Sequence, residues 1–255
     1  MDLTGKYCFI KMEAHSVVRR IVSGLRRYDG RTRLESDRRA IVACILRRSP
    51  ELEALFILRS GGPKGGRWSG QVAFPGGHVE SGESDHDAVV RECKEEVGLE
   101  LDAPGGAYTF LGATRQLRVP FAASLVVTCR VYEQASWAPT PRSENLQTKE
   151  VAALGWAPLA ALLRDDCAVP LQWAKSRPDA AASEWDGFPS VLLPVRDVLL
   201  AEGGAFDTRG GEAAAISHFV LWGLTLALVN DLLTATKLRA GPIELCNTGA
   251  VDAKL

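Results

Sequence analysis

The sequence has no charge excess, no paired-cysteine pattern, no internal repeat and no low-complexity tract. Its formal net charge is −1, so nothing draws the whole chain toward nucleic acid or an anionic membrane, although a local charged site stays open. Its six cysteines (Cys8, Cys44, Cys93, Cys129, Cys167 and Cys246) are scattered without a CxxC pair. A zinc site needs clustered ligands, and these thiols read instead as reduced and mostly buried in an intracellular protein. The first residues show no secretory pattern, because Asp2, Lys6, Lys11 and Glu13 interrupt the apolar ones. Residues 213–233 are apolar enough to suggest a membrane span. They contain His218, Asn230 and Asp231, and their uncharged core stops at Asn230. A buried helix is expected there, and no membrane span.

What is present suits a globular protein. The chain has 255 residues, 46% hydrophobic and 24% charged, enough to bury a core without disulfide or metal staples. Three regions are expected: an N-terminal helical extension over 1–38, a main domain over 39–240, and a tail over 241–255. Residues 14–28 read as a helix. Their Arg-rich amphipathic part, 16–28, fits a packed surface helix, with a mitochondrial targeting helix as the alternative. The runs 39–46 and 52–58 read as strands around the turn Arg48-Ser49-Pro50. Strand patterns recur at 107–111, 122–131 and 151–156, a short helix at 158–164, and one long apolar helix over 212–237. The clearest helix is N-capped by Ser84, with Asp87 three residues on, and stopped by Gly98. Strands on both sides of one strong helix give a mixed α/β reading.

That helix carries the chemistry. Glu92, Glu95 and Glu96 stand at i, i+3 and i+4 and share one face. Three like charges on one face repel, and a divalent cation is the simplest offset. Oxygen-only ligands favour a hard ion, Mg²⁺ or Mn²⁺. Glu83, at the helix start, is a further ligand or a neighbour that orients one. Arg91 is suited to hold a carboxylate in a two-pronged grip. A solvated acidic face is the plain alternative for the glutamates taken alone.

The flanking residues weigh against that alternative. Gly77, Glu83 and the run Arg91-Glu92-Cys93-Lys94-Glu95-Glu96-Val97-Gly98-Leu99 resemble the Nudix box, with Cys93 standing where an aliphatic residue is usual. The resemblance implies a Nudix fold, a mixed β-sheet sandwiched between α-helices (α/β/α) with N-terminal and C-terminal helical extensions. It implies hydrolysis of a diphosphate bond, with Mg²⁺ or Mn²⁺ held by Glu92, Glu95 and Glu96, joined by Glu83 and the backbone carbonyl of Gly76. Catalytic roles fall to Glu92, Glu96 and Arg91. The general base is left between Glu92 and an acid outside the box, Glu144 or Glu150.

Ahead of the box, Arg59-Ser60, Arg67 and Gly70-Gln71-Val72-Ala73-Phe74-Pro75-Gly76-Gly77 resemble the coenzyme A diphosphatase branch of that family. Trp222-Gly223-Leu224-Thr225 and the stretch from Glu150 to Leu159 resemble it too. The spacing from Ser60 to Arg67 is longer than the branch pattern. On this resemblance Arg59, Arg67, Phe74 and Gly77 contact the substrate, the arginines serving an extra phosphate such as a 3′-phosphate. The expected partner is a small nucleotide of coenzyme A type, with nucleic acid disfavoured. Other nucleoside diphosphate derivatives (ADP-ribose, NADH, a dinucleotide, an RNA cap) or a catalytically weak binding scaffold are the alternatives. Phe219 and Trp222 are expected in a pocket or an oligomer interface, which leaves a homodimer open. The terminal Ala253-Lys254-Leu255 is one residue from the Ser-Lys-Leu peroxisomal address. It points to a peroxisome or related organelle, with mitochondrion or cytoplasm as alternatives.

Overall fold

A computed structural model of the chain describes residues 14–26, 34–61, 68–119, 122, 124–172, 186–202 and 216–245. Arg67, Tyr28, Cys8, Cys246 and Ala253-Lys254-Leu255 lie outside the described residues.

The run RAIVACIL falls in strand β1 (Arg38–Arg48). Apolar residues at nearly every position mean that both faces of the strand are covered. Its neighbours are β2 (Leu52–Arg59), antiparallel, and β7 (Leu125–Gln134), parallel. The sheet extends outward through β8 (Val151–Pro158) to β11 (Arg196–Leu200) on one side and to β5 (Tyr108–Ala113) on the other. The short strands β3 (Val72–Ala73), β4 (Gly76–His78) and β6 (Leu117–Arg118) pair with β2, β1 and β7 respectively. Among the described residues this makes a nine-stranded mixed sheet.

Side chains on β1 sort to the two faces by alternation. Ile41, Ala43 and Ile45 pack against helix α2 (Asp85–Val97) through its Ala88, Val89, Cys93 and Val97. Cys44 and Leu46 belong to the opposite core, with helices α1 (Ala14–Leu25) and α3 (Gly223–Ala235). The sheet is therefore sandwiched between helices, as expected. α1 is packed inward through Val17, Val18, Ile21 and Leu25. A Cβ on its Gly24 would lie 2.6 Å from Thr236 Cα, so only glycine allows the approach to the end of α3.

The expected long helix over 212–237 is corrected. Its described part divides into strand β12 (His218–Trp222) and α3. His218-Phe219-Val220-Leu221-Trp222 is aromatic and β-branched, a composition that suits a strand. It pairs with β10 (Pro189–Pro194), which also carries β9 (Ala168–Pro170). Gly223, at φ 61°, makes the turn from strand to helix. β9, β10 and β11 go beyond the sequence expectation. Phe219 and Trp222 are 2% and 7% exposed, so they fill the core and do not offer an interface. Among the described residues no helix is long and apolar enough to cross a membrane.

Candidate functional site

Two local structures build the site. The first is α2. Its N-cap Ser84 accepts a hydrogen bond from Asp87 N and donates one to the Asp87 carboxylate. Asp85 and Asp87 complement the positive helix start. At the other end Gly98, at φ 69°, donates to Lys94 O while Leu99 N donates to Cys93 O, the left-handed stop that glycine favours. The second is β4, laid along β1 with Gly77 opposite Ile41. Gly76 has φ 146°, and a Cβ there would lie 2.2 Å from Ile41 O. A Cβ on Gly77 would lie 2.3 Å from Glu92 Oε1. The two glycines let β4 press against both β1 and the acidic face of α2.

The three glutamates, equivalent in sequence, are not equivalent in space. Glu96 lies in the same buried stripe as Val89, Cys93 and Val97 and is 1% exposed. Its Oε2 accepts from Gly76 N at 2.8 Å. Its Oε1 is buried without a hydrogen-bond partner, and Arg59 Nη1 stands 3.6 Å from it. Burial pushes its pKa up to about 8, with Glu92 and Glu150 adding repulsion and the Gly76 N–H and Arg59 opposing. Glu92 is partly buried, and desolvation raises its pKa too, against the pull of Arg91. Glu95 is the exposed member.

Arg91 gathers the remaining acids. Its Nε and Nη2 donate to the two oxygens of Glu83 at 3.0 and 3.1 Å. Its Nη1 donates to Glu92 at 2.9 Å and Glu95 at 3.2 Å, and its Nη2 to His78 O at 3.1 Å. Glu83 also accepts from Glu80 N. The Arg91 hydrogen bonds hold the Glu83 carboxyl below its usual range and raise the pKa of Arg91. Among the described residues no three acids, histidines or cysteines converge as a ready ligand set, because Arg91 stands among three of the acids. Glu83, expected as a ligand or as a neighbour that orients one, has both its oxygens engaged by Arg91.

A cleft of about 440 Å³ adjoins these residues, with Glu96 buried behind its lining. Arg59, Gly76, Gly77, Arg91, Glu92 and Glu95 line it, and so does Glu150. Glu144 does not line it and is paired with Arg142. Of the two acids proposed outside the box, only Glu150 is therefore in place. Phe74 borders the cleft but is 2% exposed and stacked on Phe56, with ring centroids 4.8 Å apart. Most of its ring is packed into the core. Gln71, within the stretch Gly70 to Gly77, lines the cleft too, and Trp68 and His78 are lining residues that sequence reasoning did not single out. Their signal was only nearness to the glycine-rich stretch and the box.

Residues 37–177, more than half of the chain, match the family model described as NUDIX domain. Isopentenyl-diphosphate Delta-isomerase of Escherichia coli O127:H6 (strain E2348/69 / EPEC) is 32% identical over 111 residues, 44% of this chain and 55% of that protein. The chain thus spans about half the length of this curated relative. Among solved structures, a MutT NUDIX hydrolase from Burkholderia pseudomallei is 28% identical, with 54% of this chain and 91% of that one covered and a TM-score of 0.36. The NUDIX domain of Shewanella oneidensis NrtR, complexed with ADP ribose, is 20% identical, with 60% and 89% covered and a TM-score of 0.37. Superpositions this loose carry no argument of their own. The family match and the box geometry agree, and the chain belongs to the NUDIX domain family.

Proposed function

We propose that this protein is a divalent-cation-dependent pyrophosphohydrolase of nucleoside diphosphate derivatives. Coenzyme A or its thioesters are the favoured substrate, cleaved to 3′,5′-ADP and (acyl-)phosphopantetheine. The carrying observation is the buried Oε1 of Glu96, without a hydrogen-bond partner, behind the cleft lining formed by Arg59, Glu92 and Glu150. A buried carboxylate oxygen left without a partner is costly, and in an oxygen-only acidic cluster a hard cation is the group that satisfies it. Glu96, Glu92 and Glu95 would hold Mg²⁺ or Mn²⁺, which when bound neutralises diphosphate oxygens and lowers the pKa of water.

The chain's own residues do the rest. Arg91 fixes Glu83 and Glu92, so the acids keep their places under mutual repulsion. Gly77 leaves room for the Glu92 carboxylate. Arg59 presents a guanidinium to substrate phosphate from the neighbouring strand. Glu150 and Glu92 are the acids positioned to accept the proton of an attacking water. The coenzyme A reading is supported by the residues around Arg59 and Gly70 to Gly77 that resemble that branch.

The test is a mass-spectrometric product screen with Mg²⁺ or Mn²⁺ over coenzyme A, acetyl-coenzyme A, NADH, ADP-ribose, diadenosine polyphosphate, capped RNA and isopentenyl diphosphate. Release of 3′,5′-ADP and phosphopantetheine supports the full reading. Turnover of another diphosphate keeps the chemistry and removes the branch. Isomerised isopentenyl diphosphate, or no turnover at all, overturns the hydrolase.

A further inference from the structure

α3 lies beyond the segment 37–177 that matches the family, yet it walls the catalytic cleft. Leu224, Thr225 and Leu228 line the same cavity as Glu92 and Arg91. Between these groups the cavity is lined by Ala40 and Val42 of β1 and by Leu125 and Val127 of β7. That side is aliphatic throughout, apart from Thr225. Thr225 is 8% exposed. Planar and amide-bearing side chains suited to a base, Trp68 and Gln71, come instead from the segment next to Arg59.

The wall is built to hold its shape. Asp231, buried in the middle of α3, is ion-paired with Arg115 from the loop after β5. Asn230 Oδ1 accepts from Ile243 N at 2.7 Å. At its far end α3 meets α1 at the close contact of Gly24 with Thr236. An aliphatic surface held at a cleft, with one hydrogen-bonding group on it, is the make-up of a site for a mostly apolar ligand.

We infer that α3 is a specificity element: Leu224 and Leu228, with Val42, Leu125 and Val127, bind an uncharged, chiefly aliphatic chain attached to the diphosphate on the side away from the nucleotide. This rests on the hydrolase reading for the position of the diphosphate. It predicts that affinity grows with the apolar length of that chain and that the growth is lost when α3 is altered.

The test is a binding comparison that needs no turnover. Two non-hydrolysable methylenediphosphonate diesters carry adenosine on one phosphorus and either a methyl or an n-octyl ester on the other. Dissociation constants are measured by calorimetry on the full chain with Mg²⁺ present. The octyl diester is expected to bind at least about tenfold more tightly than the methyl one, the gain from burying only two or so methylenes. In Leu224→Arg the octyl-to-methyl ratio falls to near one, and thermal melting confirms a folded variant. Equal affinities in the wild type, or a preference that survives in Leu224→Arg, overturn the inference. So does an equal weakening of both diesters, which would place the adenosine on this wall. The hydrolase reading fails separately, by absence of product from the cleavable parent diesters. Binding of neither diester overturns both.

Discussion

Among the described residues two glutamates are sealed inside this protein, and their surroundings differ in one respect. Glu53, at the start of β2, is 0% exposed. Arg47 reaches one of its oxygens at 2.8 Å and Arg196 the other at 3.4 Å, while the Arg47 guanidinium lies 4.2 Å from the centre of the Trp156 ring. Glu96 is as deeply buried, but one of its oxygens has no hydrogen-bond partner. A buried acid with both oxygens engaged ties strands together. Glu96 is left half-engaged directly behind Arg59, Gly76 and Glu92, which line the cleft, and there a cation would satisfy it.

The contrast is sharpest in the response to removing each charge. Glu96→Gln is expected to lower kcat by about 10³-fold or more, as loss of an electrostatic contact at a reacting centre does. The far-ultraviolet spectrum should stay native, and near-normal turnover would end the functional half of the comparison. Glu53→Ala should do the reverse. It leaves Arg47 with only Asp197 and the exposed Arg196 with only Glu51, and should cost about 3 kcal/mol of stability in urea unfolding, with kcat unchanged per folded molecule. An equally stable Glu53→Ala would end the structural half.

The pH dependence separates the two further. The folded-state pKa of Glu96, about 8, lies above its reference of 4.5. The folded state therefore holds the extra proton, so the stabilising contribution is complete below pH 4.5 and is lost as the pH rises through 8. Without divalent cation, the wild type should weaken by on the order of 3 kcal/mol relative to Glu96→Gln between pH 4.5 and 8.5. Urea melts at the two pH values measure this, and Mg²⁺ should restore the wild type at the higher pH. Parallel curves for the two proteins would show that burial does not govern this carboxyl.

Smaller effects test the fine positioning. Gly77→Ala pushes a methyl into the Glu92 carboxylate, the far end of a flexible side chain that can swing away. It should lower kcat by about tenfold, since one misplaced group typically costs this or more, with melting shifted by only a few degrees. Arg59→Ala should raise KM severalfold, and more for coenzyme A than for dephospho-coenzyme A. Equal changes for both would remove the 3′-phosphate role from Arg59.

Much of the site was legible because its signals are local. Ser84, Asp87 and Gly98 mark α2 by cap chemistry alone, and the spacing of Glu92, Glu95 and Glu96 puts them on one face. Their ranking was not legible. Which glutamate is buried depends on where Gly76 and Arg59 arrive from other strands, and spacing within one helix carries nothing about that. For the same reason Glu83 looked available until Arg91 was seen to hold both its oxygens, and Glu144 and Glu150 could not be told apart. The C-terminal unit misled more. Its apolar run suits a strand or a helix equally, and the pairing of β12 with β10, a tertiary contact, decides that the first part is strand.

The parallel pairing of β1 with β7 has a consequence in time. The arginine of β2, the glycines of β4 and the acids of α2 all sit in the stretch of chain that this pairing closes. Pairings so distant in sequence form slowly compared with a self-capped helix. On the ribosome, α2 and its acids emerge long before Leu125 and Val127, and the α3 wall emerges later still. The nascent protein therefore carries its carboxylates before it has an enclosure for a substrate, and the residues that shape selectivity are the last to take their places.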